Sequence, residues 1–169
     1  MLPKEHGYVL SIDQASNAAG VSLWLDGTLT ATTVLLSKDK SDPFSRRIQY
    51  QLEQLNVFID THVPADIILD KVLFEGVRSR LVVCVVGAFL CCPRIDAKIS
   101  EKNNFIESSS WKNWSRARGA QGAFKDIKGV KALRECGWDF AKHPVVSDDV
   151  ADSILIYLCW RDSKVGGGR

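Results

Sequence analysis

The chain has 169 residues, 46% of them hydrophobic and 25% charged, with a formal net charge of +2. That length accommodates one domain with a sizeable core, the balance excludes a disordered chain, and the charge is too near zero to name a partner. No run reaches the roughly 18 uncharged apolar residues of a membrane span, since the most apolar one, residues 81–92, stops at Pro93.

Lys4, Glu5 and His6, ahead of the first apolar run, do not make a secretory signal. Cys84, Cys91, Cys92, Cys136 and Cys159 stand in apolar surroundings without metal-like spacing. They read as reduced core thiols of a cytoplasmic protein, in the host cytoplasm if the chain is viral.

Tyr8 to Ile12 is a buried strand by its β-branched and apolar content, broken at Asp13-Gln14-Ala15-Ser16-Asn17. The chain turns at Gly20 and resumes as a strand over residues 21–25. Asp26-Gly27 then joins it to another over residues 28–36, a strong hairpin signal. Ser41-Asp42-Pro43 predicts a capped helix start with proline in the first turn. Phe44, Ile48, Leu52, Leu55 and Ile59 share one face of that helix, which ends near Thr61-His62. The runs 67–69 and 72–74 follow, the second ending on Glu75-Gly76. Strand, crossover helix and strand place the flanking pair side by side in one sheet.

Residues 81–90 are read as a helix lying on a sheet. Residues 105–110 give a short strand leading into Trp111 and Trp114, and 119–122 a mobile loop. Phe124, Ile127, Val130, Leu133 and Cys136 mark an amphipathic helix ending at Gly137. Ser147 caps a last helix over residues 148–160, with Val150, Ile154, Leu155 and Leu158 supplying its apolar contacts. Residues 163–169 are expected to be a disordered tail.

The sharpest local signal is Asp148-Asp149-Val150-Ala151-Asp152-Ser153. Acids in a first helical turn complement the macrodipole. Asp152 lies beyond it, three residues from Asp149 and on the same face, where like charges repel unless a cation intervenes. Small neighbours, Ala151 and Ser153, let the helix approach a sheet closely. Together with Asp13 and Glu75 at two strand ends, this makes four carboxylates whose hard oxygens suit Mg²⁺ or Mn²⁺. Two such ions about 4 Å apart activate water and stabilise the leaving oxygen in phosphodiester cleavage. The competing reading makes the helix acids caps and the strand acids exposed turn residues, and the residues alone leave both open.

Ser11-Ile12-Asp13-Gln14-Ala15-Ser16, Leu73-Phe74-Glu75-Gly76 and the 148–153 segment, in this order of elements, resemble Holliday-junction resolvases of the RuvC type, including their bacteriophage and poxvirus relatives. The resemblance covers roughly residues 7–161. It implies an α/β fold, a ribonuclease H-like mixed five-stranded sheet flanked by helices, occupying residues 1–162. It further implies metal-binding acids at Asp13, Glu75, Asp149 and Asp152, with Asp148 beside them. The expected chemistry is cleavage of branched DNA to 5′-phosphate and 3′-hydroxyl ends with two Mg²⁺ ions, Mn²⁺ substituting, in recombination or debranching of phage DNA. Four-way junctions, forks and flaps are the expected substrates. Because symmetric resolution takes two active sites, a homodimer is expected. Gln14-Ala15-Ser16 stands where the cellular enzymes have a Pro-Gly turn, and no aromatic follows Glu75; both departures point toward the phage-type group.

Lys112, Arg116, Arg118, Lys125, Lys128, Lys131 and Arg134 crowd one segment, and Arg78 and Arg80 adjoin Glu75. Such a cluster neutralises DNA phosphates largely without regard to sequence. The resemblance places Lys112, and Lys125 or Lys128, near the scissile phosphate, where a lysine would stabilise developing charge. Trp111 and Trp114 are read as core in preference to base-stacking platforms, and His143 is kept out of the catalytic set. The rival readings are a ribonuclease H acting on RNA–DNA hybrids and a non-catalytic nucleic-acid-binding relative. An actin-like kinase would need a second domain and further Gly-rich loops.

Overall fold

A computed structural model describes residues 7–76, 79–119, 128–145 and 147–166. The chain runs β1 (Tyr8–Asp13), β2 (Ala18–Leu25), β3 (Thr28–Leu36), α1 (Phe44–His62), β4 (Val72–Gly76) and α2 (Arg80–Phe89). It continues through α3 (Glu101–Asn104), β5 (Phe105–Glu107), α4 (Ser108–Arg116), α5 (Lys128–Glu135) and α6 (Asp148–Gly166). Asp26 and Gly27 both take positive φ, 50° and 83°, as a two-residue hairpin turn of the primed type requires. The strands form one sheet in the order β3-β2-β1-β4-β5, antiparallel on the hairpin side and parallel where β1 meets β4 and β4 meets β5.

The crossover through α1 does not put its flanking strands side by side: β4 pairs with β1, two positions from β3. β1, whose residues 9–12 are all buried, needs a partner on each edge. The run 67–69 forms no named strand either; only Leu69 makes a bridge, to Ile95, while Ile67 and Ile68 are exposed. There Arg94 turns its guanidinium onto the Val63 and Ile67 carbonyls, occupying the acceptors that a strand would offer a neighbour.

Two cores cover the two faces of the sheet. On one, α1 and α2 bring Leu55, Phe58, Ile59, Val85 and Phe89 against Leu10, Ile12 and Phe74. On the other, α4, α5 and α6 pack Trp111, Leu133, Ile154 and Tyr157 around Val9, Trp24 and Leu73, with Trp24 and Tyr157 stacked at 3.8 Å. Among residues 150–160 every side chain is buried except Asp152, so α6 is a central helix, apolar all round, and not a one-faced surface helix. It also runs six residues past Trp160, into the segment expected to be a tail.

Three further expectations change. Helix α1 starts on Pro43 with no side-chain cap, because Ser41 Oγ donates to Asp39 instead. The strand expected over 105–110 is three residues long, helix taking over at Ser108. Cys84 on α2 and Cys91 just past its end are exposed, so only part of the free-thiol set lies in the core. The predicted mobile loop falls mostly, and the start of the α5 periodicity wholly, outside the described residues.

Candidate active site

The register of the sheet sets Asp13 opposite Gly20 on β2. A Cβ on Gly20 would lie 1.8 Å from the Asp149 carbonyl oxygen, so only glycine lets the first turn of α6 rest on the strand. Gly129 of α5 does the same from the other side, where a Cβ would fall 2.7 Å from Asp152 Oδ1. Buried Ser11 ties the two elements together, its Oγ donating to the Ser153 carbonyl at 2.8 Å. Ser147 Oγ accepts from Val150 N at 3.3 Å, the predicted cap. These contacts bring the start of α6, and hence Asp149 and Asp152, to the ends of β1 and β4.

The four acids share one electrostatic field. Asp13 is pushed up to about 9, mainly by burial and then by the charges of Asp152 and Glu75, and it shares a hydrogen bond with Glu75. Asp152 rises to about 7 through burial and the charges of Asp148 and Glu75, against the pull of Lys112. Asp149 is raised by burial and by Asp148. Asp148 itself is exposed, at the rim.

Among the described residues no three His, Cys, Asp or Glu side chains are already drawn into a group able to hold a metal ion. The acids are therefore neighbours and not a closed cage. Their donor chemistry nevertheless fits a hard divalent cation: every candidate ligand is a carboxylate oxygen, and the burial and mutual repulsion that raise Asp13 and Asp152 are what a bound cation would offset.

Lys112 of α4 stands 3.9 Å from Glu75 Oε1, half-exposed, with its ammonium also donating to Ser108 Oγ. Lys128 is exposed at the start of α5, beside the Gly129 that touches Asp152. Arg80 is exposed at the start of α2, and Arg116 is exposed while donating to Asn113. Arg118 is directed elsewhere: it pairs with Asp162 at 2.9 Å and lies over Trp114, ten residues along α6 from Asp152. Arg78 and Lys125 lie outside the described residues. Trp114 spends its N–H on Asp162 as well, and His143 accepts the Trp138 indole through its carbonyl.

Two site residues escape sequence reasoning. Gln14 is buried in the loop after β1, and its amide exchanges two hydrogen bonds with the Glu75 backbone. Trp111, in the core as expected, donates its indole N–H to Glu75 Oε1 at 3.2 Å. Neither partner is near in sequence.

A mixed five-stranded sheet in this strand order, flanked by helices on both faces, matches the ribonuclease H-like fold in its RuvC form. Two solved structures of this form come from Thermus thermophilus. Its RuvC matches with a TM-score of 0.61 at 15% identity, covering 95% of this chain and 97% of that one. A RuvC determined in complex with a Holliday junction substrate matches at 0.57 and 13% identity, covering 95% of each. No family model and no curated protein matches the sequence.

Proposed function

We propose that the chain is a divalent-metal-dependent endonuclease of branched DNA, a junction resolvase of the phage-like kind. Four-way junctions are its principal substrates, with forks and flaps also cut. What carries this reading is the convergence of Asp13, Glu75, Asp149 and Asp152 from two strands and a helix, where burial first and mutual repulsion second raise Asp13 and Asp152. Mg²⁺ ions, or Mn²⁺ in their place, would supply activation of water and stabilisation of the leaving oxygen. Asp13 and Glu75 would flank them, with Asp149 and Asp152 completing the ligand set and Asp148 adding negative charge at the rim. Lys112, half-exposed beside Glu75, would steady charge developing on the phosphate. Lys128 and Arg80, with Arg78 and Lys125, would hold the DNA backbone.

Two-fold cutting calls for a pair of these sites. Helix α2 supports that assignment, because it buries Val85, Val86 and Phe89 yet leaves Leu81 and Val83 more than half exposed. The test is cleavage of four-way junctions, forks, linear duplex and an RNA–DNA hybrid with Mg²⁺ and with EDTA. Metal-dependent cutting of branched DNA, lost in Asp149→Asn by more than the roughly 10–100-fold that changes behind metal ligands cost, is the expected result. Preference for the hybrid would transfer the chain to the ribonuclease H reading, and full activity in Asp149→Asn would overturn the ligand assignment.

A further inference from the structure

Glu75 is held at both its backbone and its carboxylate by uncharged, buried side chains. The parallel ladder between β1 and β4 runs Leu10 with Val72, Ser11 with Leu73 and Ile12 with Phe74, then stops one step short of Glu75. The Gln14 side chain continues it: Nε2 donates to the Glu75 carbonyl at 2.6 Å and Oε1 accepts from Glu75 N at 3.0 Å. Only one orientation of the amide satisfies both bonds, so the carboxamide acts as an extra peptide unit in the ladder. The loop carrying it is braced from behind. Fully buried Gln51 of α1 donates to the Ala15 carbonyl at 3.0 Å, and Arg47 reaches Ser16 and Asn17.

At the other end, Trp111 is 4% exposed, and its only polar atom points at Glu75 Oε1 from 3.2 Å. A tryptophan that served the core alone would not have to aim its N–H at a carboxylate. The same carboxylate shares a hydrogen bond with Asp13, so a fixed Glu75 also fixes its neighbour in the acid group.

We propose that Gln14 and Trp111 are positioning residues that clamp Glu75, one through its backbone and one through its carboxylate, and so fix where that carboxylate meets a divalent cation. The inference rests on the nuclease reading for its purpose, but its geometry is independent of any substrate. The indole N–H fixes Oε1, the carboxylate also shares a hydrogen bond with Asp13, and the Gln14 amide keeps the Glu75 backbone in register with β1. Neither clamp residue carries a charge, so the pair orients the ligand without itself competing with a cation for it; the charged neighbour of the same oxygen is Lys112, at 3.9 Å.

The decisive variants are Trp111→Phe, which keeps a ring in the core and deletes only the N–H donor, and Gln14→Leu, which deletes both amide contacts. Mn²⁺ binding is measured calorimetrically on the full chain, beside thermal unfolding and junction cleavage against Mn²⁺ concentration. Expected is roughly tenfold weaker Mn²⁺ binding in each variant, with cleavage moved to higher metal and recovered at saturation. In a Glu75→Ala background neither substitution should weaken Mn²⁺ further. Mn²⁺ affinity unchanged in Trp111→Phe, or a loss that persists undiminished in Glu75→Ala, overturns the clamp, as does an unmodified chain that binds no Mn²⁺. If Gln14→Leu does not fold, Trp111→Phe decides. An unmodified chain that binds Mn²⁺ but cuts no branched DNA defeats the nuclease reading alone, since the affinity comparison still stands.

Discussion

The two faces of the sheet are built to different tolerances. Beneath α1 and α2 the contacts are between large apolar side chains, Leu55, Ile59 and Phe89 against Ile12 and Phe74. Beneath α6 the helix lies against β2 at Gly20 and hydrogen-bonds β1 through Ser11. Bulky packing tolerates small shifts, because many weak contacts can redistribute. A backbone seated on a glycine does not, and this is the side that aims the acids. The difference teaches that positional accuracy at the candidate site comes from small residues and hydroxyls, whereas bulk stability is shared with the opposite face.

Titration should break the comparison most strongly, since the raised acids all lie on the α6 side. Asp13 and Asp152 keep protons up to about 9 and about 7 in the folded chain, against the ordinary 3.8 of an aspartate. Folded carboxyls with raised values bind more protons than unfolded ones. Their stabilising contribution is thus complete below pH 3.8 and is lost as pH climbs through 7 and 9. Urea midpoints in EDTA should fall over that window. Asp13→Asn should flatten the upper part of the fall, and Mg²⁺ should restore the midpoint at alkaline pH.

Gly20→Ala comes next. With its new Cβ set on the Asp149 carbonyl, it should cost about 3 kcal/mol by chemical denaturation and displace Asp149, so cleavage falls with stability. Ser11→Ala removes one buried hydrogen bond and leaves the Ser153 carbonyl short of a donor, for about 1 kcal/mol. The smallest effect belongs to the other face. Val83→Glu, on the exposed row of α2, should leave monomer stability within about 0.5 kcal/mol while shifting sedimentation toward monomer.

What was legible in the sequence follows from range. The hairpin, the α1 stripe from Phe44 to Ile59 and the acids at strand ends are signals confined to a few neighbouring residues, and each stands where it was expected. The five-stranded sheet was implied by the resemblance that their order and motifs carry, and the strand order β3-β2-β1-β4-β5 agrees with it. The partner of β4 was misplaced because helix length says nothing about how many strands a crossover passes over. Gln14 read as an irregular turn residue, since its use depends on a partner 61 positions away. Trp111 could be assigned to the core by its size, but the aim of its N–H depends on Glu75, 36 positions off. The glycines at 20 and 129 looked like turn and helix residues, because only the folded chain brings α6 against both.

The bond from Ser11 to Ser153 spans 142 positions. A ribosome making this chain would release β1, β4 and their two acids well before the helix that completes the group. Throughout that interval the nascent polypeptide holds Asp13 and Glu75 without Asp149 and Asp152, and lacks the helix that fills one side of its sheet. An unfinished copy therefore lacks the full acid group, which assembles only once residues 148–160 have emerged and docked onto β1 and β2.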